Sequence, residues 1–235
     1  MLMKPLGDAA VSISFGEKVC LETYGKVQAV FQYLKAGSFP GMIECVPSYT
    51  SVTVFYNPYL LIKLHGKRTN PYEFVCTYLS SIAEKVEPVL PKEEEIVSIP
   101  VCYGGDYGPD LEDVASYNGL SKEEVIRFHS EPLYLVYMLG FAPGFPYLGG
   151  MPKEIAAPRR RTPRLRVPSG SVGIGGSQTG IYSLETPGGW NIIGRTPLAL
   201  FQPECDEPTL LQAGTYLRFV PITEEAFDNW KECDI

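Results

Sequence analysis

The stretch TPRLRVPSGSVGIGGSQTGIYSLETPGGWNIIGRTP, from Thr162 to Pro197, contains eight glycines and four prolines. A flexible linker of that kind would be poor in apolar and aromatic residues. This stretch instead places eight of them between its glycines: Val167, Val172, Ile174, Ile181, Tyr182, Trp190, Ile192 and Ile193. We therefore expect it to fold as short strands joined by tight turns, a pattern typical of a closed or nearly closed β-barrel.

The glycines of this stretch do not form a nucleotide-binding motif. Gly170 and Gly175 have the spacing of a P-loop, but Gly176 stands where the phosphate-binding lysine is required. Gly173 and Gly175 begin a dinucleotide pattern, but Gln178 stands where the third glycine is required. We therefore expect no nucleotide site within this chain.

The chain is acidic overall but has one concentrated basic segment. Its 235 residues carry a formal net charge of −7, whereas nucleic acids and anionic membranes attract clustered positive charge. Five of the nine arginines nevertheless fall within eight residues: Arg159, Arg160, Arg161, Arg164 and Arg166. The composition argues against binding to nucleic acid or membrane, and it singles out this segment as a candidate anion site.

The sequence shows no targeting or metal-binding signal. The N-terminal residues MLMKPLGDAAVSISFG lack the apolar core of a signal peptide, and no apolar run approaches the length of a membrane span. The six cysteines are scattered without a C-x-x-C pair, so neither a zinc site nor a redox couple is indicated. We expect a cytoplasmic protein with reduced thiols and no metal site.

Two domains are expected, joined at the proline-rich and charged segment EPVLPKEEE. Hydrophobic periodicity over residues 1–97 predicts strand, helix, strand, strand and helix, the order of a small α+β domain. A further strand in EIVSIPVCY either completes a ferredoxin-like βαββαβ unit or begins the second domain. Residues 98–235 begin with two short helices, the second capped by Ser121 and Glu124, and continue as short β-rich pieces.

Three sequence blocks resemble the signatures of a known family. They are GFAPGFPYLGGMP, PRRRTPRLRVPSGSVGIGGSQTGIY and TPGGWNIIGRTP, in this order. The members of this family are called KipI, allophanate hydrolase subunit 1 or PxpB, a subunit of 5-oxoprolinase, and the resemblance extends over essentially the whole chain. It implies a small N-terminal α+β domain followed by a cyclophilin-like β-barrel domain.

The resemblance also implies a function that depends on partners. The chain would be the PxpB component of an ATP-dependent 5-oxoprolinase, with ATP as co-substrate and with partners of the subunit 2 (PxpC) type and the lamB/YcsF (PxpA) type. Some members of the family instead inhibit a sporulation histidine kinase, so a regulatory binding protein is the alternative. A prolyl isomerase is suggested only by analogy of fold, which is weak evidence of function.

The arginines are candidate ligands for an anionic substrate, because a guanidinium group is a fixed fork suited to a carboxylate. 5-Oxoproline carries one carboxylate. Strand alternation in TPRLRVP would place Arg164 and Arg166 on one side and Leu165 and Val167 on the other. We select Arg164 and Arg195 as anion clamps. For the first three arginines of the segment, a solvated or partner-binding surface is the alternative.

A small polar lactam also requires an apolar plate and a few hydrogen bonds. Phe145 and Trp190 are the candidate plates, and Ser171, Gln178 and Thr179 are the candidate hydrogen-bonding groups. The alternative for Trp190 is an anchor in the protein core. We expect these residues to line the substrate site together with the arginine clamps.

The aromatic block that begins at Gly140 is a candidate partner interface, because interface cores favour aromatic residues over lysine and glutamate. Phe141, Tyr147 and Met151 are the residues that we expect at this interface. For the glycines of this block, close approach of the backbone to a ligand and tight packing at a corner of the barrel are the two alternatives.

His129 is the candidate proton shuttle, since histidine titrates near neutral pH and the resemblance favours a role for it in the site. The other histidine, His65 in KLHGKR, is interpreted as an ordinary loop residue. The sequence contains no G-x-S-x-G elbow and no Ser-His-Asp order. Complete catalysis within this chain is therefore not expected.

Overall fold

The computed structural model describes residues 1–91 and 96–230. The chain forms two compact units, Met1–Pro91 and Lys92–Ile235. Our sequence-based boundary lies a few residues later, between 97 and 98. The charged part of the expected linker, residues 92–95, lies outside the described residues.

The first unit contains four antiparallel strands and three helices. The strands are β1 (Leu2–Pro5), β2 (Ala10–Ser14), β3 (Met42–Pro47) and β4 (Ser51–Tyr56). The helices are α1 (Leu21–Ala36), α2 (Pro58–His65) and α3 (Pro71–Ala83). The strands form a sheet in the order β1-β2-β4-β3, whose buried side chains, among them Val11, Ile13 and Val54, pack against those of α1 and α3.

Two elements of this unit differ from the sequence-based prediction. The edge beside β2 is occupied by β1, whereas the EIVSIPVCY strand that we considered for closing the unit belongs to the second unit. Pro58 ends the preceding strand as expected, but it is also the first residue of α2, where its missing N–H costs no hydrogen bond. His65 therefore lies in the last turn of a helix rather than in a loop.

The second unit is built around a strongly bent, seven-stranded sheet. Its strands are β5 (Ile96–Tyr103), β6 (Tyr134–Leu139), β7 (Pro146–Gly149), β9 (Ser171–Gly175), β10 (Gln178–Ile181), β12 (Asn191–Arg195) and β13 (Tyr216–Ile222). They follow the order β10-β9-β12-β5-β13-β6-β7, and the two outer strands, β10 and β7, pack against each other. The sheet is therefore nearly closed into a barrel, as the glycine-rich stretch predicts.

Among the described residues of this unit, three α-helices, a 3-10 helix (Lys153–Ile155) and a separate ribbon accompany the sheet. The helices are α4 (Leu111–Asn118), α5 (Lys122–Ser130) and α6 (Glu224–Asp228), and α5 has the predicted capping box of Ser121 and Glu124. The ribbon consists of β8 (Arg164–Val167) paired with β11 (Thr186–Gly188). No helix in the described part of the chain is long and apolar enough to span a membrane.

The ribbon contains a β-bulge that changes the direction of two side chains. Val167 pairs with Thr186 and Arg164 pairs with Gly188, so three steps along β8 match two steps along β11. The extra residue breaks the alternation of sides. Arg164 and Val167 consequently both point inward, while Leu165 and Arg166 are both exposed. The expected alternation, with Arg164 and Arg166 on one side, is therefore wrong.

His129 lies in the core of the second unit, fully buried at the end of α5. Its Nδ1 is 2.8 Å from the hydroxyl of Tyr103, and its Nε2 is 2.8 Å from the hydroxyl of Thr179. The Thr179 hydroxyl donates to the carbonyl of Gly173 at 3.0 Å. Because that hydroxyl has a single hydrogen, it accepts from Nε2, and Nδ1 accepts from Tyr103. His129 is therefore a neutral imidazole that links α5 to three strands.

Burial lowers the pKa of His129 to about 3. In the unfolded chain His129 has the ordinary histidine pKa of about 6.5. Below that pH the unfolded state binds a proton that the folded state excludes. The stability that His129 contributes is complete above about pH 6.5 and decreases as the pH falls toward 3. At about pH 5 the loss amounts to roughly 2 kcal/mol.

We therefore expect the second unit to unfold at lower urea concentration at about pH 5 than at about pH 7.5, by roughly 2 kcal/mol of unfolding free energy. Both tryptophans, Trp190 and Trp230, belong to this unit, so tryptophan fluorescence reports its unfolding alone. In His129→Gln most of this pH dependence should disappear, whereas the exposed-site control His65→Gln should keep it. An unchanged pH dependence in His129→Gln would assign the effect to other groups.

Candidate functional site

The second unit contains a pocket of about 340 Å³. Its walls are aromatic: Phe141, Phe145, Tyr147, Tyr182 and Trp190. Its rim consists of two arginines, two prolines and two glycines: Arg159, Arg160, Pro163, Pro187, Gly188 and Gly189. A second cavity of about 300 Å³, near Gln202 and Trp230, contains none of the predicted site residues.

Phe145 is the centre of the aromatic wall. Its ring centroid is 5.2 Å from that of Tyr147, 5.5 Å from that of Tyr182 and 5.7 Å from that of Trp190, all in edge-to-face orientation. Such pairs stabilise each other beyond the area that they bury. Phe145, Tyr182 and Trp190 are buried, and the wall is therefore a fixed surface rather than a set of mobile rings.

The position of Trp190 explains three glycines of the stretch from Thr162 to Pro197. A Cβ added at Gly175 would lie 2.6 Å from the indole, and one at Gly180 would lie 3.2 Å from it. A Cβ at Gly173 would lie 3.2 Å from the Cβ of Trp190. The indole thus lies directly on the backbone of β9 and β10, where only glycine leaves room for it. Trp190 is both a core anchor and a pocket wall, so the two alternatives for this residue coexist.

Arg164 does not face the pocket as a free clamp, because it is paired with Asp110. Its two terminal nitrogens donate to the two carboxylate oxygens of Asp110 at 2.8 and 2.7 Å, and this hydrogen bonding raises the pKa of Arg164. Arg160 donates to the same carboxylate at 2.6 Å, as does the amide of Ile192. Asp110 is only 2% exposed. It therefore holds two arginines of the basic segment against β12.

Asp110 was not predicted as a site residue. It lies directly before α4, where aspartate is common because its side chain can cap a helix. In the sequence alone, a helix cap was therefore a sufficient explanation for this residue. In the structure its side chain caps no amide of α4. The signal that could have found it was the excess of arginine in one short segment, since buried guanidinium groups require a carboxylate partner.

The remaining predicted ligands lie outside the pocket. Arg195 donates through Nε to the carbonyl of Ser169 at 2.8 Å, and Ser171 is buried within β9. Thr179 is part of the His129 network, and Gln178 lies at the turn between β9 and β10. Met151 packs against the main core of the unit. Of the predicted residues, the structure gathers Phe141, Phe145, Tyr147 and Trp190 around one pocket.

Arg159 is the cation that remains available at the pocket. Its guanidinium lies 5.9 Å from the ring centre of Trp190, and it has no carboxylate partner among the residues that the structure describes. Burial raises the pKa of Tyr182, against the effects of a backbone hydrogen bond at Trp190 and the nearby charge of Arg159. The pocket therefore combines neutral aromatic walls with one free guanidinium, which suits a small ring that carries one negative charge.

No group of three or more His, Cys, Asp or Glu side chains that could hold a metal ion occurs in the described ranges, 1–91 and 96–230. The pocket is lined by aromatic, arginine, proline and glycine residues. The described residues that line it therefore include no carboxylate, imidazole or thiol that could serve as a metal ligand.

Replacement of Asp110 should destabilise the second unit. Asp110→Asn leaves two guanidinium groups without their anion, and breaking a buried ion pair costs about 3 kcal/mol or more where water cannot compensate. Because the side chains of Arg160 and Arg164 are 34% and 26% exposed, we expect about 3 kcal/mol, at the lower end of that range.

Urea unfolding followed by tryptophan fluorescence measures this loss. Asp113→Asn is the matched control, since Asp113 is an exposed aspartate on the neighbouring helix. Equal stability of the two variants would show that the buried carboxylate is not required for the fold.

Comparison with known proteins adds independent evidence. The family described as "Carboxyltransferase domain, subdomain C and D" matches residues 1–211. Two 5-oxoprolinase B subunits match nearly the whole chain. The one from Bacillus subtilis (strain 168) is 50% identical, over 98% of this chain and 96% of that protein. The one from Escherichia coli O157:H7 is 41% identical, over 93% of this chain and 95% of that protein.

Solved structures agree with this assignment. A conserved uncharacterized protein from Pyrococcus horikoshii is 46% identical, with a TM-score of 0.56, over 96% of this chain and all of that one. The urea amidolyase of K. lactis has a TM-score of 0.78 at 18% identity, over 96% of this chain and 15% of that one, and this likeness concerns the fold alone. The resemblance inferred from the sequence is confirmed: the chain belongs to the carboxyltransferase subdomain C and D family, together with the B subunits of 5-oxoprolinase.

Proposed function

We propose that the chain is the PxpB component of an ATP-dependent 5-oxoprolinase, which opens 5-oxo-L-proline to L-glutamate while ATP is cleaved. Similarity to two 5-oxoprolinase B subunits along nearly the whole chain supports this function. The single structural observation that carries it is the aromatic pocket with one free guanidinium at its rim. A cytoplasmic location is part of the same proposal, because the reaction consumes ATP.

The pocket matches the chemistry of 5-oxoproline. The substrate is a five-membered lactam ring with one carboxylate, and a volume of about 340 Å³ is ample for a molecule of this size. The ring would lie against the faces and edges of Tyr182 and Trp190, while Arg159 would bind the carboxylate. Arg159 thereby takes the role of carboxylate ligand that the sequence suggested for Arg164. Arg160 and Arg164 bind Asp110 instead and so fix the segment that carries Arg159.

The pocket supplies binding but no general base. The described residues that line it include no carboxylate, imidazole or thiol. His129, the sequence-based candidate, is fully buried and has a pKa of about 3, so we propose a structural role for it. The groups that activate the lactam and the water would come from partners of the subunit 2 and lamB/YcsF types, as would the ATP site. The chain is then active only within the assembled enzyme.

The finer fold assignment belongs to the same proposal. In a ferredoxin-like unit the first strand is flanked by the third strand and by a closing fourth strand. The order β1-β2-β4-β3 has this form if β1 occupies the place of the closing strand. We propose that the first unit is a ferredoxin-like variant of this kind and that the second unit is a cyclophilin-like barrel.

The role of Arg159 is tested by comparing Arg159→Ala with Arg218→Ala in the assembled enzyme. Both residues are exposed arginines of the second unit, but only Arg159 lines the pocket. A hydrogen bond to a charged group contributes about 1.5–3 kcal/mol, so the KM for 5-oxoproline should rise roughly ten- to a hundredfold in Arg159→Ala.

The measurement is ATP-dependent release of glutamate from 5-oxoproline at varied substrate concentration. Arg218→Ala should retain the wild-type KM. Wild-type kinetics in Arg159→Ala would exclude this arginine as the carboxylate ligand. If the assembled wild-type enzyme released no glutamate at all, the proposed function itself would be rejected.

A further inference from the structure

Among the described residues of the second unit, the most exposed large apolar side chain lies on the β8–β11 ribbon. Leu165 is 87% exposed, in a strand whose sequence alternation would otherwise turn it toward the interior. The β-bulge is what directs it outward, and bulges often redirect a side chain next to a functional site. Exposure of this leucine is therefore a consequence of a specific backbone feature.

Phe141 is a second exposed apolar side chain, at the mouth of the same pocket. It is 62% exposed and has a φ of 67°, the one positive φ of a non-glycine residue in the described ranges, 1–91 and 96–230. The amide of Ala142 donates to the carbonyl of Gly140 at 2.8 Å and closes a tight turn around it. A bulky residue adopts this conformation only at an energetic cost, which is commonly found at binding sites.

Pro187 belongs both to the pocket and to the ribbon. It lines the pocket together with Phe141 and Arg159, and it lies on β11 opposite the bulge that carries Leu165. We call these residues, with Arg161 and Arg166, the ribbon surface. They are exposed residues of the pocket mouth, the ribbon and the loop that precedes β8.

The charge of the ribbon surface is opposite to that of the whole chain. Arg159 and Arg161 have no carboxylate partner among the described residues, and Arg166 has only a 3.7 Å contact with the exposed Glu185. The chain has a net charge of −7. Three arginines around exposed apolar groups are typical of a protein interface, where arginine and aromatic residues are enriched.

We infer that the ribbon surface binds a protein partner that presents an apolar depression for Leu165 surrounded by carboxylates. Nucleic acid and anionic membrane are disfavoured, because two apolar side chains lie among the arginines and the rest of the chain would be repelled. The inference rests on the proposed function in one respect, namely that the partner is the subunit 2-type protein.

This placement connects the interface with the pocket. Since Phe141, Arg159 and Pro187 belong to both, a partner on the ribbon surface would lie over the pocket mouth. It could then supply the reactive groups that the pocket lacks and exclude water from the bound lactam. The site would be shared between the two proteins.

The test is the affinity of the purified chain for the subunit 2-type protein of the same organism, measured by calorimetry. A central anchor of an interface contributes enough that its loss weakens binding about thirtyfold or more. We expect this loss for Leu165→Asp. Leu64→Asp is the matched control, since Leu64 is a 52% exposed leucine of the first unit, and it should bind like the wild type. Fluorescence-monitored unfolding verifies that Leu165→Asp is folded, and circular dichroism verifies that the first unit of Leu64→Asp, which contains no tryptophan, is folded.

The charge contribution has a separate readout. Arg161→Ala combined with Arg166→Ala should lower the association rate and reduce its dependence on salt, because exposed charges at the edge of an interface mainly steer the encounter. Unchanged rates and salt dependence would exclude carboxylates as the complementary groups.

Three results would overturn the inference. They are wild-type affinity in Leu165→Asp, absence of binding by the wild-type chain, and self-association of the wild-type chain that Leu165→Asp abolishes. The last result would identify a second copy as the occupant. Glutamate release by the assembled enzyme is scored separately. If the enzyme is active and assembles independently of Leu165, only this interface is rejected. If assembly depends on Leu165 but the enzyme is inactive, only the proposed function is rejected.

Discussion

The carboxylate of Asp110 is the group on which the geometry of the pocket depends. It accepts two hydrogen bonds from Arg164, one from Arg160 and one from the amide of Ile192, so all four bonds are directed into a nearly dry site. The amide of Arg160 in turn donates to the carbonyl of Gly189, at the pocket rim. The basic segment is thus fixed at two points, and Arg159, next in the chain, is left beside Trp190.

The same arrangement explains why five arginines lie so close together in an acidic protein. Two of them neutralise a buried carboxylate, which would be unstable without them. The others remain exposed and are available for a ligand or a partner. A charge run that looks uniform in the sequence therefore separates into two paired arginines and three exposed ones, and one carboxylate distant in the sequence determines which are paired.

Much of the fold could be predicted from local patterns, because periodicity and caps are local properties. The Asn70 and Ser121 caps and the helices that follow them are present as the sequence indicates. The features that were predicted wrongly depend on pairing between distant segments. The bulge in β8 arises from its register with β11, and the ion pairs of Arg164 depend on Asp110, 54 residues earlier. Of the aromatic pocket walls, Phe145 and Trp190 were expected in the site, Phe141 and Tyr147 were expected at a partner interface, and Tyr182 was missed. The polar residues Ser171 and Thr179, selected near Trp190, are buried within the barrel.

Those polar residues point inward for a physical reason. Thr179 and His129 belong to one chain of hydrogen bonds that ends at the carbonyl of Gly173, on the strand beneath Trp190. The His129 imidazole and the Thr179 hydroxyl are therefore engaged in hydrogen bonds that stabilise the barrel beneath the aromatic wall. A rigid, uncharged wall with one guanidinium suits the binding of a small anion but contains no carboxylate or imidazole to transfer a proton. Under the proposed function, the reactive groups would therefore approach from the open side of the pocket, which the exposed Phe141 and the ribbon border.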